Sequence, residues 1–475
     1  MVTTLPLLLH LAIAPVAAAH ALIYKRDSRA AFGWIAMALL FPIGGPLLYF
    51  AFGINRVRTR ARHLQGRPTH WLRMPYEGAE PTTSRLDDTG REDTAADTIA
   101  RISRAVSGRP LLAGNRVRPL FNGEEAYPEM VAAIDRARHS VYLMTYILET
   151  NRTGRRFIDA LAAADRRGVQ VRVLIDGFGD WYSLPRASRK LREHRVEVAR
   201  FLPLRLLPPA VHINLRNHRK ILVVDGEHGF TGGMNIGDRH LVATHPTTHP
   251  TQDIHFAVDG PVVRELEQVF ADDWRFATGE ELTLGTDAPS AGGDARCRVI
   301  STGPDDDIDK LVTVLLGAIA AARHTIDIVT PYFLPPREMI ATLQAAALRG
   351  VRVTIVLPAR SNLPFVHWAT RNMLWELLQR SVAIYYQPPP FAHTKLFVVD
   401  GEYAQIGSAN LDPRSLRLNF ELALEIHDIT FAATLRDHVR HLVAKSRPVT
   451  LEEVDGRSLP VRMRDALCWL LSPFL

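Results

Sequence analysis

The chain has 475 residues, 47% of them apolar, and carries 57 Lys and Arg against 50 Asp and Glu for a formal charge of +7. That length accommodates two to four ordinary domains with sizeable cores, and the charge points to anionic partners unless it only reflects a mild arginine excess. With Cys297 and Cys468 as the sole cysteines, a disulfide framework and a CxxC metal site are excluded.

The N-terminus reads as membrane-spanning. Leu5 to Tyr24 and Phe32 to Phe52 are uncharged, mostly apolar stretches, each near the ~20 residues a bilayer core requires. Lys25 to Arg29 leaves room only for a tight loop, so a two-helix hairpin is expected over residues 1–56. Ala19-His20-Ala21 resembles a signal-peptide cleavage site, but the basic start that a signal peptide wants is missing before Lys25. His10 and His20 belong at an interface or against the partner helix. Arg56, Arg58, Arg60 and Arg62 follow the second stretch and favour a cytoplasmic C-terminal part in a plasma membrane.

Pro75 to Asp97 is rich in Glu, Asp, Thr, Ser, Pro and Gly and reads as linker, within a membrane-proximal segment over 57–108. The remainder repeats itself. Ala137-Arg138-His139-Ser140-Val141 opens a strand, then a helix ends at Arg167-Gly168 and a β-branched run follows from Val169 to Ile175. Ala322-Arg323-His324-Thr325-Ile326, Arg349-Gly350 and Val351 to Leu357 restate that order. A glycine at a helix end followed at once by a β-branched run marks a helix-to-strand transition. Two tandem α/β domains related by a pseudo-twofold axis are therefore expected, over 109–284 and 285–475. His139 and His324 match within the repeat and read as helix-end residues.

Each half also carries H-x-K-x4-D-x6-G-x2-N, first as His218, Lys220, Asp225, Gly232 and Asn235, then as His393, Lys395, Asp400, Gly407 and Asn410. On a strand, His and Lys two apart share a face. If the two strands meet at the domain interface, four basic groups surround a volume suited to one phosphodiester. The lysines would neutralise its oxygens, with Asn235, Asn410 and the Ser408 hydroxyl as further phosphate-binding candidates. One imidazole can attack phosphorus while the other, protonated, gives a proton to the leaving alkoxide. This chemistry calls for no metal and no cofactor. Asp253 and Glu421 are candidates for orienting the histidines, whereas Asp225 and Asp400 sit past the strand ends and suit the turn better than substrate. The first copy has Gly232-Gly233 where the second has Gly407-Ser408, so the first half lacks one hydroxyl.

The paired motif is similar to that of the phospholipase D superfamily, and its surroundings resemble bacterial cardiolipin synthase. The segments carrying the likeness are Arg216 to Lys220, Phe230 to Gly237, Thr330-Pro331-Tyr332-Phe333 and Gly407 to Ser415, with Pro46-Leu47-Leu48-Tyr49 in the hairpin. The resemblance implies two phospholipase D-like domains sharing one site, and the joining of two phosphatidylglycerols into cardiolipin with release of glycerol. By motif position, His218 is then the nucleophile and His393 the general acid/base, with Lys220, Lys395, Asp225 and Asp400 completing the catalytic set. Asp253 and Glu421 would each orient the histidine of the opposite half. His249-Pro250-Thr251 departs from the aromatic and basic residues usual before that aspartate. The alternatives are a phospholipase D that uses water, and a membrane-anchored nuclease. A bilayer tether favours lipid over nucleic acid. The apolar stretches Phe201 to Pro209, Pro388 to Phe391 and Leu467 to Leu475 are either surfaces for the bilayer or ordinary packing.

Overall fold

The computed structural model describes residues 4–25, 28–53, 93–203, 215–245, 247–285, 292–303 and 309–472. The arginine cluster at 56–62, most of the linker and most of 201–209 lie outside the described residues. The N-terminal hairpin belongs to one compact unit, and both α/β halves belong to a second.

In the first unit the apolar run forms one helix, α1 (Thr4–Tyr24), with Leu8, Leu11, Leu22 and Ile23 exposed along it. It is the one described helix long and apolar enough to cross a membrane. The second stretch is not a continuous span, in contrast to the sequence expectation. Helix α2 (Ser28–Leu40) stops, a turn follows, and a five-residue helix α3 (Gly44–Leu48) begins. Pro42 and Pro46 lack amide hydrogens, and their rings crowd the preceding turn. His10 bridges this break, taking the Ile43 amide at 3.3 Å on Nδ1 while Nε2 donates to the Leu39 carbonyl at 3.2 Å. His20 hydrogen-bonds the Tyr49 hydroxyl at 2.7 Å. Both histidines therefore face the returning segment. Ala17, Ala21 and Ala38 are fully buried between the helices, where small side chains permit close approach.

Among the described residues the second unit holds a mixed sheet of 15 strands and a separate two-stranded sheet pairing Thr251–Gln252 with Phe391–Ala392, and each half contributes the same pattern. The first half holds β1 (Leu112–Phe121), β2 (Ser140–Thr145), β3 (Gln170–Asp176), β4 (Glu197–Phe201), β5 (Ile221–Val224), β6 (His228–Gly232), β7 (Thr251–Gln252) and β8 (Ile254–Asp259). The second holds β9 (Ala295–Thr302), β10 (Thr325–Val329), β11 (Arg352–Pro358), β12 (Ala383–Gln387), β13 (Phe391–Ala392), β14 (Leu396–Val399), β15 (Tyr403–Gly407), β16 (Glu421–His427) and β17 (Arg447–Pro448). Strands β2, β3 and β4 run parallel, as do β10, β11 and β12; β5, β6 and β8 are antiparallel additions, mirrored by β14, β15 and β16. The halves join where β1 pairs antiparallel with β9. Parallel strands buried on both faces need the near-continuous β-branched runs that the sequence supplies.

The linker ends earlier than its composition suggests. Ala95–Ser107 is a helix opened by a capping box in which the Thr94 side chain accepts the Asp97 amide and Asp97 answers on the Thr94 amide. Its Ile99 is fully buried in the core of the second half.

Candidate active site

Strand β5 is preceded by His218 and Lys220 in an extended lead-in, and β14 by His393 and Lys395. Each lead-in docks on the opposite half. The His218 amide donates to the Phe420 carbonyl at 2.9 Å, and the His393 amide donates to the Gln252 carbonyl at 2.7 Å. Asn217 thereby bridges Phe420, as β13 pairs with β7 on the other side. The residue after each partner is the carboxylate: Glu421 lies 3.2 Å from His218 Nδ1, and Asp253 lies 2.8 Å from His393 Nδ1. Both carboxylate side chains are wholly buried, while the imidazoles keep 13% and 12% of their surface. The rings are the part of this network that a substrate can reach.

The two carboxylates are held differently. Glu421 accepts Ser408 Oγ at 2.5 Å, Ser415 Oγ at 3.0 Å and Asn419 Nδ2 at 3.0 Å, besides His218. Burial alone would raise Glu421, but His218, then Lys220 and the Ser408 hydroxyl, outweigh it and leave the carboxyl below its ordinary value. Asp253 accepts its neighbouring Ile254 amide at 2.9 Å, and burial leaves its carboxyl above the ordinary value. Opposite Asp253, where the second half has Ser408, stands Gly233. A Cβ there would come within 2.8 Å and 2.9 Å of the two Asp253 oxygens. The missing hydroxyl is thus a steric requirement of the first half.

In the empty site both imidazoles are shifted toward the neutral form. Burial and then Lys220 lower His218, and burial, then Lys395 and Lys220, lower His393 well below its ordinary value. Burial pushes the lysines down to about 7 for Lys220 and about 8 for Lys395, opposed in both cases by Glu421 and Asp253; Lys395 adds to the lowering of Lys220. Lys395 Nζ rests 2.9 Å from its own His393 Nδ1, and Lys220 Nζ donates to the His218 carbonyl at 2.6 Å. Two buried lysines and two imidazoles around one cleft, only partly offset by Glu421 and Asp253, favour an anion.

Several sequence expectations are redistributed. Ser408, expected on the substrate phosphate, is buried and spends its hydroxyl on Glu421. Asn410 gives Nδ2 to Ser415 Oγ at 3.2 Å, and Asn235 Oδ1 accepts the Ile147 amide at 3.2 Å, so both amides brace loops. Asp225 and Asp400, which family likeness places in the catalytic set and strand position assigns to the turns, spend their carboxylates on turn amides. Asp225 accepts the Arg138, His139 and Ser140 amides at 2.9, 2.7 and 2.9 Å; Asp400 accepts those of Arg323, His324 and Thr325 at 2.8, 2.7 and 2.7 Å. Both have positive φ and are followed by a positive-φ glycine, the geometry an Asp-Gly turn supplies. His139 and His324 enter this arrangement through their backbone amides.

Other contributors were not singled out from sequence. Ser415 and Asn419 act on Glu421, and Tyr146 places its ring 5.1 Å from that of His218. Arg219, between the motif His and Lys, faces the other way. It pairs with Asp273 at 2.7 Å and donates to the carbonyls of Glu421 and Thr302 at 3.0 Å each. Asp273 also takes Asn217 Nδ2 at 2.9 Å. The alternation His-Arg-Lys carried a signal for this, since the middle residue of an extended triplet points away from its neighbours.

Comparison with known proteins agrees with this geometry. A family model described as "Cardiolipin synthase, PLD-like domain" matches residues 130–274 and 315–443, more than half of the chain. The chain belongs to the cardiolipin synthase family of phospholipase D-like proteins. A second model, "Phospholipase_D-nuclease N-terminal", matches residues 12–53. The chain is 31% identical to the major cardiolipin synthase ClsA of Bacillus subtilis, over 95% of both chains. It is 33% identical to cardiolipin synthase A of Pseudomonas putida KT2440, over 98% of this chain and 97% of that one. Among solved structures, phosphatidylserine synthase from Haemophilus influenzae superposes with a TM-score of 0.60 at 17% identity, covering 79% of this chain and all of that one, a likeness of fold.

Proposed function

We propose that this protein is a membrane-bound phosphatidyltransferase that joins two phosphatidylglycerols into cardiolipin and glycerol. The observation that carries the reading is the crossed support of the two imidazoles, His218 by Glu421 and His393 by Asp253, within one unit. In the first step His218 Nε2 forms a bond to phosphorus, the bond from phosphorus to the glycerol oxygen breaks, and His393, protonated once the phosphodiester anion is bound, delivers its proton to that oxygen. In the second, a headgroup hydroxyl of another phosphatidylglycerol loses its proton to His393 and attacks the phosphohistidine, restoring His218. Lys220 and Lys395 neutralise the nonbridging oxygens in both steps. His218 suits the nucleophile because its carboxylate partner is held below its ordinary value by His218, Lys220 and the Ser408 hydroxyl, whereas burial holds Asp253, the partner of His393, above its own.

Phosphatidylglycerol as second substrate and residence in a plasma membrane with cytoplasmic catalytic halves belong to the same proposal. The apolar α1 supports membrane residence, and the names of the relatives support the lipid chemistry. The exposed Leu467 and Leu470 of the terminal helix, and Leu471 just after it, are consistent with a neighbouring bilayer. Purified protein given labelled phosphatidylglycerol is expected to yield cardiolipin and glycerol on thin-layer analysis. Phosphatidic acid alone would replace the reading by hydrolysis, and DNA cleavage without lipid turnover would replace it by a nuclease.

A further inference from the structure

The segment that follows β3 takes no part in the chemistry above, yet it carries large apolar side chains in the open. Trp181, Tyr182 and Leu184 are 52%, 51% and 81% exposed. They are not left out by loose packing. Asp180 beneath them is buried and accepts the Ser188 amide at 3.0 Å and its hydroxyl at 2.5 Å. Thr150 ties the other side, its amide donating to Ser183 Oγ at 3.1 Å and its hydroxyl to the Pro185 carbonyl at 2.9 Å. A loop fixed at its base by four hydrogen bonds presents its apolar tip outward by construction.

Cations follow immediately. The Arg186 guanidinium stacks 3.2 Å over the Trp181 ring. Residues 186–195 then hold Arg186, Arg189, Lys190, Arg192 and Arg195 against Glu193 alone, five positive charges less one. Arg189 is 75% exposed although it pairs with Glu193 at 3.0 Å. The loop is also continuous with the reacting centre: Tyr182 packs 6.1 Å from Tyr146, whose ring lies 5.1 Å from that of His218.

We infer that Trp181, Tyr182 and Leu184, with the basic helix Ala187–Glu193 behind them, insert into the surface of an anionic phospholipid bilayer beside His218. Indole and phenol rings settle at the headgroup level, an aliphatic tip reaches the acyl boundary, and basic side chains meet anionic headgroups. A second copy of the chain is a poor occupant, since it would set two strongly positive segments against each other. The consequence for catalysis, that lipid enters the cleft on the His218 side, rests on the proposed transfer reaction; the insertion itself does not.

The test uses the full chain in phosphatidylglycerol-containing proteoliposomes. A nitroxide is attached at Leu184→Cys in a Cys468→Ala background, the fully buried Cys297 being left in place. A control label is placed at Glu452→Cys. The 184 label is expected to collide more with oxygen than with a water-soluble nickel chelate, and the 452 label to do the reverse. An aqueous profile at 184, or dipolar broadening from a label on another chain, overturns the proposal. This readout needs no turnover, so it judges the surface separately from the transfer reaction. In a second arm, Leu184→Asp is expected to slow turnover of vesicle phosphatidylglycerol by about 10-fold or more while leaving monomeric dihexanoyl phosphatidylglycerol within about 2-fold of wild type. Equal losses on both substrates would place the effect in the cleft and overturn it.

Discussion

Glu421 holds the Nδ1 nitrogen of His218 from the opposite half of the chain, 3.2 Å away, on the residue next to the one whose carbonyl receives the His218 amide. The ring is thus fixed at both ends of its own residue by a single two-residue segment, Phe420-Glu421. A carboxylate at that place selects the tautomer with hydrogen on Nδ1 and a free lone pair on Nε2.

That dependence is testable by an isostere. Glu421→Gln keeps the shape and offers Nδ1 an amide, whose N–H donors favour the wrong tautomer. The expected result is a fall in kcat of about 10³- to 10⁴-fold with KM little changed, the range seen when a triad carboxylate becomes an amide. Steady-state turnover of phosphatidylglycerol measures it. A kcat within about 10-fold of wild type would show that the carboxylate does not set the ring's protonation.

The unequal glycine-serine pair gives a second test. Ser408→Ala removes one of the donors that keep Glu421 ionised, and a hydrogen bond to a charged group is worth about 1.5–3 kcal/mol. Activity should fall by about 10- to 100-fold, with the acidic limb of the kcat/KM profile displaced upward in pH because Glu421 takes a proton more readily. The reverse exchange, Gly233→Ser, adds no useful hydroxyl. Its Cβ meets Asp253 at under 3 Å and must push that carboxylate off His393. Turnover is expected to fall further than for Ser408→Ala. An active Gly233→Ser enzyme would contradict the packing argument.

Much of this was legible in the chain because duplication made the motif spacing its own control. The tandem α/β units and the crossed contacts of Glu421 with His218 and of Asp253 with His393 follow from short patterns plus family likeness. What the sequence hid was direction. A strand pattern says that Ser408 and Asn410 lie near the histidines, but not that Ser408 turns inward to Glu421 while Asn410 braces Ser415. Arg219 was hidden for a related reason: its partners Asp273, Glu421 and Thr302 are 54 to 202 residues away. The break in the second apolar stretch was signalled by Pro42 and Pro46, whose backbone effect outweighs hydropathy.

Asp225 and Asp400 should behave as folding residues. Each carboxylate takes three amides of the turn before β2 or β10 and occupies a positive-φ position that alanine adopts poorly. Asp225→Ala or Asp400→Ala is expected to cost about 1–3 kcal/mol by removing three charge-assisted hydrogen bonds from each turn. Denaturant midpoints should drop, while the fraction that remains folded keeps the wild-type KM. Retained stability with lost kcat would return these residues to the chemistry.

The lysines give the opposite signature, because their burial opposes folding in the absence of an anion. Lys220 at about 7 and Lys395 at about 8 lie below the ordinary lysine value near 10.5. Between about pH 7 and 10 the unfolded chain holds more protons than the folded one, so the stability lost to these groups is recovered as pH rises. Below that window the loss is complete. Lys220→Met should therefore abolish turnover and yet raise the melting temperature at pH 6.5, by about 2–4 °C for a modest free-energy gain in a domain of this class. The gap between variant and wild type should narrow as pH approaches 10. Orthovanadate or inorganic phosphate should narrow it at low pH as well, by supplying the missing counter-charge. For the wild type, kcat/KM should decline above about pH 8 as the free pocket loses its cations, whereas kcat, set by the occupied pocket, should hold to higher pH. Scanning calorimetry of both proteins across pH decides the point: a Lys220→Met variant less stable than wild type at pH 6.5 would mean that the ammonium is satisfied without substrate.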